Sequence, residues 1–418
     1  MYEDLVEYIA SETITNIPAL KVEAELKAAI THWLHNNHIN FSFKTSELED
    51  LWHKGVSNFC CEHQTSIEKV LKEVNITPST GAFKFIDLFS GIGGFNLALQ
   101  STGGRCVFSS EWDKSAKHTY FKNHGKVPFG DINQFTDDSV TDDELDHLIP
   151  DHKILAGGFP CQPFSHAGVS ARSALGLAHG FKCETQGTLF HSIARVAYVK
   201  QPEVVFMENV RSLVTHDKGE TFKVVRETME QLGENNPEKH NYKFFYSVIN
   251  SQTVVAQRRI RCFMVCIRED VWKSKNEADF VFPVFEGSPI PLSEALKDTS
   301  KEEAAEYTIS DKLWQGHINR TARNIERNTG FTAHVADLNR PSNTIVARYG
   351  KDGKECLVPQ EGQNPRKLTR DECRKLFGYP EGFWYPDAKT PTYKQFGNSV
   401  VVPVVTRISE SIVNYLND

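Results

Sequence analysis

Apolar positions along the chain change period near residue 80. Before that point Val22, Leu26, Ala29, Ile30, Trp33 and Leu34 recur at helical spacing, and Ile67, Val70, Leu71 and Val74 form a second stripe. These predict a small helical region that ends at the breaker cluster Thr77-Pro78-Ser79-Thr80-Gly81. Short β-rich runs then alternate with helical stretches. Strands are expected at Phe83–Phe89, Cys106–Trp112, Lys153–Phe159, Glu203–Val210, Phe244–Asn250 and Arg261–Ile267. Helices are expected at Gly94–Gln100, Lys114–Asn123, Thr188–Lys200 and Glu220–Leu232. That alternation predicts a doubly wound, Rossmann-like α/β domain built on a parallel sheet. From about residue 290 to 390 Gly, Pro and Asn punctuate short β-like runs such as Asn343–Arg348, and Val400–Leu416 returns to an apolar helix. The expected organisation is a helical extension over 1–80, a sheet domain over 81–290, a smaller irregular β-rich domain over 291–391, and a segment over 392–418 that rejoins the sheet domain.

Composition narrows the class without naming it. The chain has 418 residues, 39% hydrophobic and 24% charged, as expected of a globular protein of two or three domains. No run approaches the roughly 18 apolar residues of a membrane span. The acidic start Met1-Tyr2-Glu3-Asp4 lacks a signal-peptide pattern, so a reducing cytoplasm is expected. Nine cysteines without a C-x-x-C pair suggest neither a disulfide framework nor a metal site, and Cys60, Cys61, Cys262 and Cys266 read as small buried residues. The net charge of −7 argues against a nucleic-acid partner until its distribution is considered. Between Lys312 and Lys375 thirteen Lys and Arg face seven Asp and Glu, the local basic surface that phosphate neutralisation needs.

Candidate chemistry falls at the ends of the expected strands. Cys161 stands in Gly157-Gly158-Phe159-Pro160-Cys161-Gln162-Pro163, where flanking prolines hold a non-helical turn that presents the thiol instead of packing it. Asp87-Leu88-Phe89-Ser90-Gly91-Ile92-Gly93-Gly94 links the first strand to a helix, and Asn96 replaces the third glycine of a dinucleotide fingerprint. About twenty residues on come Glu111, an acid for ribose hydroxyls, and Trp112, an indole for a base; Asp131 then suits an exocyclic amino group. In that order the three elements read as an adenosyl pocket. Glu208 ends the apolar strand Phe206–Val210, on the sheet edge where open α/β folds bind ligands. Arg259 and Arg261 alternate along an extended segment and suit a phosphate or a carbonyl oxygen.

With Gln257-x-Arg259-x-Arg261, Arg366–Gly378 and Gln395-Phe396-Gly397-Asn398-Ser399-Val400, these motifs form an ordered set that resembles the DNA (cytosine-5) methyltransferases over residues 84–418, most of all the bacterial Dcm-like branch. The resemblance implies methyl transfer from S-adenosylmethionine to carbon 5 of a cytosine flipped out of duplex DNA, with Cys161 adding to carbon 6 and Glu208 bonding ring nitrogen 3. It implies that Arg261 contacts the base carbonyl, that Arg259 supports it and that Asn209 braces the Pro-Cys loop. Phe89, Gly91, Ile92, Gly94, Glu111, Trp112, Asp131, Ile132, Pro160, Leu189, Asn398 and Val400 would line the cofactor pocket, with no metal. The loop from Gln162 to about Gln186 is the natural lid, and sequence choice would lie in the basic domain, around Thr344-Ile345. The expected partner is double-stranded DNA, met by a monomer, with a cognate restriction endonuclease sharing the site but no stable complex implied. Two other readings stay open: methylation of transfer RNA by the same chemistry, and autoregulation through DNA binding by the N-terminal helices.

Overall fold

The computed structural model describes residues 1–15, 18–36, 46–74, 81–160, 189–328 and 332–417. Cys161, the expected lid loop Gln162–Gln186 and most of the expected linker lie outside that set. Among the described residues, no helix is long and apolar enough to cross a membrane.

Six strands form one sheet in the order β2-β1-β3-β4-β6-β5: β1 Phe83–Leu88, β2 Gly104–Ser110, β3 Ile154–Gly158, β4 Val204–Val210, β5 Tyr242–Asn250 and β6 Ile260–Arg268. The pairs β1–β2, β1–β3 and β3–β4 are parallel. Their cores are near-continuous apolar runs, as strands covered on both faces require. The order places β2 on one side of β1 and β3 on the other. The C-terminal ends of β1 and β3 therefore flank a topological switch point, where doubly wound sheets bind ligands.

Contacts group the chain into two compact units. The first holds Met1–Ser247, Cys262–Phe282 and Ser409–Asp418; the second holds Val248–Arg261 and Pro283–Ile408. The first 80 residues thus belong to the same unit as the sheet. Their helices, α1 Tyr2–Glu12, α2 Glu23–Asn36, α3 Ser46–Glu62 and α4 Ile67–Lys72, share one hydrophobic core with it, from Leu5, Ile30 and Trp52 through Phe108 and Phe129 to Leu155 and Met207. Of the expected stripe on α2, Leu26, Ala29, Ile30, Trp33 and Leu34 are buried, whereas Val22 precedes the helix and is exposed. Cys262 and Cys266 are buried as expected, but Cys61 is exposed, because it lies on the outer face of α3.

The second unit is irregular, and its expected β character takes the form of isolated bridges. Thr308 and Val358 each bridge Arg366, Val335 bridges Leu357, and Gln257 bridges Ser342; Asn343–Arg348 is not a strand. A 16-residue helix, Asp311–Glu326, that the punctuation of this region concealed is capped by Ser310, whose hydroxyl accepts from Leu313 N. Side chains with fixed hydrogen-bond geometry substitute for ladders. Arg366 pairs with buried Glu372 at 2.7 Å, and Glu372 also closes a capping box with Thr369.

At Gly397 the main chain runs close against another segment of that unit. A Cβ there would overlap the backbone of Val346 and Ala347, neither of which can swing aside as a side chain would. Gly397→Ala is expected to cost roughly 1–3 kcal/mol, at the upper end of overpacking effects, and to lower the urea midpoint of the purified protein.

Candidate active site

The glycine-rich turn after β1 is shaped by backbone conformation. Phe89, Gly91 and Gly93 all have positive φ (56°, 55° and 88°), a conformation glycine adopts freely and phenylalanine adopts only under constraint. The constraint is visible. Ser90 N donates to Ser110 O at 2.9 Å, Gly93 N donates to Ser90 O at 2.8 Å, and His124 Nε2 lies 3.1 Å from Ile92 O. His124 packs so closely under Gly93 that no side chain fits there. Burial pushes the His124 pKa down to about 3, so the ring is neutral. Helix α5, Gly94–Ser101, starts directly after this turn.

Glu111 ties the turn to the end of β2. Its Oε2 accepts from Gly91 N at 2.8 Å and its Oε1 from Asp113 N at 2.8 Å. Burial raises the carboxyl pKa, while those backbone N–H bonds act in the opposite direction. Asp87, wholly buried beneath the turn, is raised further by burial, with the Asn96 backbone N–H opposing. Among the described residues, a Cβ built on Gly91 would meet no atom within 4 Å, so on their side the turn is open beside a carboxylate. Trp112, next along, is 78% exposed. From there Glu111 N donates to Phe129 O and Phe129 N to Ser109 O, both at 2.8 Å, which brings the segment leading to Asp131 and buried Ile132 alongside β2. The three expected cofactor segments are thus joined by backbone hydrogen bonds. An open glycine turn, a fixed acid and an uncovered indole suit an adenosyl group.

Opposite them, strand register sets the second half of the site. In the β3–β4 pair Gly158 faces Glu208, whose Oε2 would lie 3.5 Å from a Cβ at Gly158. Asn209 Nδ2 donates to Phe159 O at 2.9 Å, and Asn209 Oδ1 accepts from Val210 N at 2.8 Å. The main chain that runs through exposed Pro160 into Cys161 is therefore fastened to the strand carrying Glu208. Half-buried Leu189 opens the helix Leu189–Lys200.

In the second unit Arg259 is buried, and both its terminal nitrogens are bonded. It donates to Ile345 O at 3.0 Å, Gly397 O at 3.1 Å and Ser399 O at 2.7 Å, and stacks 5.0 Å from the centre of the Phe377 ring. Gln257 completes this frame, accepting from Ile345 N at 2.8 Å and donating to Leu376 O at 3.0 Å. Thr344 Oγ1 donates to Arg258 O at 2.7 Å. Arg261 Nη1 bonds its own strand at Ile260 O. Asn398 is exposed at the end of the helix Lys389–Asn398, and Val400 is buried. Sequence reasoning named the arginines but not the carbonyls they hold. It missed His124 altogether, since a histidine at a helix C-terminus gives no sign of supporting a glycine 31 residues earlier.

With this geometry in place the comparisons are decisive. The family model for C-5 cytosine-specific DNA methylase matches residues 83–414. The chain belongs to that family, and it is a DNA cytosine-5 methyltransferase. It is 42% identical over 341 residues to the Type II methyltransferase M.SsoII of Shigella sonnei, covering 81% of this chain and 82% of the relative. It is 37% identical to the Type II methyltransferase M1.ScrFI of Lactococcus lactis subsp. cremoris across 98% of both chains, the N-terminal helices included. Among solved structures, the S. pombe Dnmt2 methyltransferase has the same fold, with a TM-score of 0.56 at 17% identity over 80% of this chain and 99% of that one. The matching family is one of DNA methylases, so the transfer-RNA reading is not favoured.

Cys262 on β6 is buried and within electrostatic reach of Glu208. Burial first, and the Glu208 charge second, push its pKa up to about 12, leaving on the order of one molecule in 10⁴ ionised at pH 8. Iodoacetamide treatment of the native protein at that pH is expected to modify Cys61 and leave Cys262 intact, as read by peptide mass spectrometry.

Proposed function

We propose that the chain methylates carbon 5 of a cytosine within a short duplex site, using S-adenosylmethionine held by the turn Phe89–Gly94 with Glu111, Trp112, Asp131, Ile132, Pro160, Leu189, Asn398 and Val400. The observation that carries this reading is the register of Gly158 against Glu208, with Asn209 fastening Phe159 two residues before Cys161. When bound, the cofactor would supply an electrophilic methyl group, its sulfonium sulfur keeping the electron pair of the broken S–CH3 bond as S-adenosylhomocysteine. Cys161 as thiolate forms a bond to carbon 6, and the electron pair of the 5,6 double bond becomes available at carbon 5. Glu208 hydrogen-bonds ring nitrogen 3 and stabilises the charge that this addition places on the ring. Carbon 5 takes the methyl group, loses its proton to a base, and the pair from that C–H bond reforms the double bond as the Cys161 sulfur leaves.

A base stacked in a duplex is out of reach of a thiol, so the target must be flipped out. Arg261 would hold the base carbonyl, and Arg259 supports the segments carrying Thr344-Ile345 and Asn398 through the three carbonyls it binds. The basic stretch Lys312–Lys375 would neutralise phosphates and read the site. The Type II designation of the relatives supports a role as the modification partner of a restriction endonuclease.

Cys161→Ser is expected to abolish methylation and keep cofactor binding, because a hydroxyl is a poor nucleophile at neutral pH. Duplex DNA with 5-fluorocytosine at the target should trap the wild-type chain covalently, and a trapped peptide lacking Cys161 would remove it as nucleophile. Glu208→Gln keeps the shape but lowers the single-turnover rate by roughly 10²–10⁴-fold, with DNA affinity unchanged in a filter-binding titration.

A further inference from the structure

Helix α2 buries a polar face as well as its apolar one. Glu25, Thr31, His32 and His35 are all buried; Glu25, Thr31 and His35 bond main-chain groups of residues 125–130, and His32 bonds Ser109 of β2. Both carboxylate oxygens of Glu25 accept from Gly130 N, at 3.0 and 3.1 Å. Thr31 Oγ1 accepts from Val127 N at 2.9 Å. His35 Nε2 lies 3.0 Å from Gly125 O, to which Tyr2 of α1 also donates at 2.7 Å. His32 lies 3.2 Å from Ser109 Oγ and rests 5.2 Å from the Phe129 ring. The stretch 125–130 contains no helix or strand of its own, and it leads directly into Asp131 and Ile132. Unpaired, the Gly130 N–H would be a donor with no strand partner next to a ligand site.

We propose that the N-terminal helices act as a clamp that positions the cofactor-binding segment, with Glu25 as the positioning residue for Asp131 and Ile132. The proposal rests on the assignment of those two residues to the cofactor pocket. Glu25 touches neither cofactor nor base. Its carboxylate fixes the peptide that precedes Asp131. Gly130 is part of the device. A Cβ there would come within 2.5 Å of Glu25 Oε1, so a side chain at 130 would push the carboxylate off the amide.

The test measures S-adenosylmethionine affinity by calorimetry on the full-length protein, beside kcat at saturating cofactor and thermal stability. Glu25→Ala should weaken cofactor binding roughly tenfold, the size of one buried charge-assisted hydrogen bond, and leave kcat within about twofold of wild type. Glu25→Gln, whose amide oxygen still accepts from Gly130 N, should recover most of that loss. Gly130→Ala should reproduce Glu25→Ala, and the double variant should lose no more than either alone, because both break one contact. If Glu25→Ala does not fold, Gly130→Ala and Glu25→Gln carry the test. Wild-type affinity in Glu25→Ala and Gly130→Ala, or additive losses in the double variant, would overturn the clamp. Asp131→Ala separates the two levels: if it weakens cofactor binding while the clamp variants do not, the pocket stands and the clamp falls; if it has no effect, the pocket assignment itself is wrong.

Discussion

The register of three parallel strands is the constraint on which the catalytic arrangement depends. Parallel pairing of β1, β3 and β4 brings Leu88 opposite Gly157 and Gly158 opposite Glu208. A slip of one residue would turn every side chain of a strand to the other face. The apolar runs of these strands, buried on both faces, hold the register. The turn after β1, Phe159 and Pro160 after β3 and the acid near the end of β4 then share one edge without further adjustment. Asn209 adds the last fixed point by capturing Phe159 O, a main-chain oxygen outside any ladder.

Within each unit, side chains replace secondary structure where the main chain is irregular. Glu111 satisfies an amide of the glycine turn, Glu25 an amide before Asp131, and Arg259 and Gln257 together hold Ile345, Leu376, Gly397 and Ser399 in the second unit. Buried carboxylates and guanidinium groups are costly unless their hydrogen bonds are complete. Each of these groups binds main-chain atoms of segments that carry candidate functional residues. A ligand site made of loops needs such external fixing, because loops have no ladders to hold them.

Much of this was legible in one dimension. The six strands appear within two residues of their expected starts and ends, and α5 and α6, Lys114–His124, within one. Short apolar runs bounded by glycine, proline and polar clusters leave few alternatives in a doubly wound sheet. The helix Asp311–Glu326 was overlooked although Leu313, Trp314, Ile318, Ala322 and Ile325 recur at helical spacing, because the Gly, Pro and Asn around it read as irregular chain; its one buried residue is His317, and Ile318 and Ile325 are exposed. The polar side of α2 was hidden for a different reason. Glu25, His32 and His35 look like a solvent face, and only contact with the 125–130 stretch shows that they are interior.

The sequence by itself determined the chemistry: a proline-flanked thiol, an acid at a strand end, a glycine turn followed by Glu111 and Asp131, and their order along the chain, because residue type and spacing are what such motifs consist of. Tertiary structure alone decided which polar groups support which segment. A carboxylate or guanidinium carries no mark in the sequence of the amide or carbonyl it will meet 50 or 100 residues away, and Glu25 with Gly130, Asn209 with Phe159 and Arg259 with Gly397 became pairs only when folding removed the water that would otherwise have satisfied them.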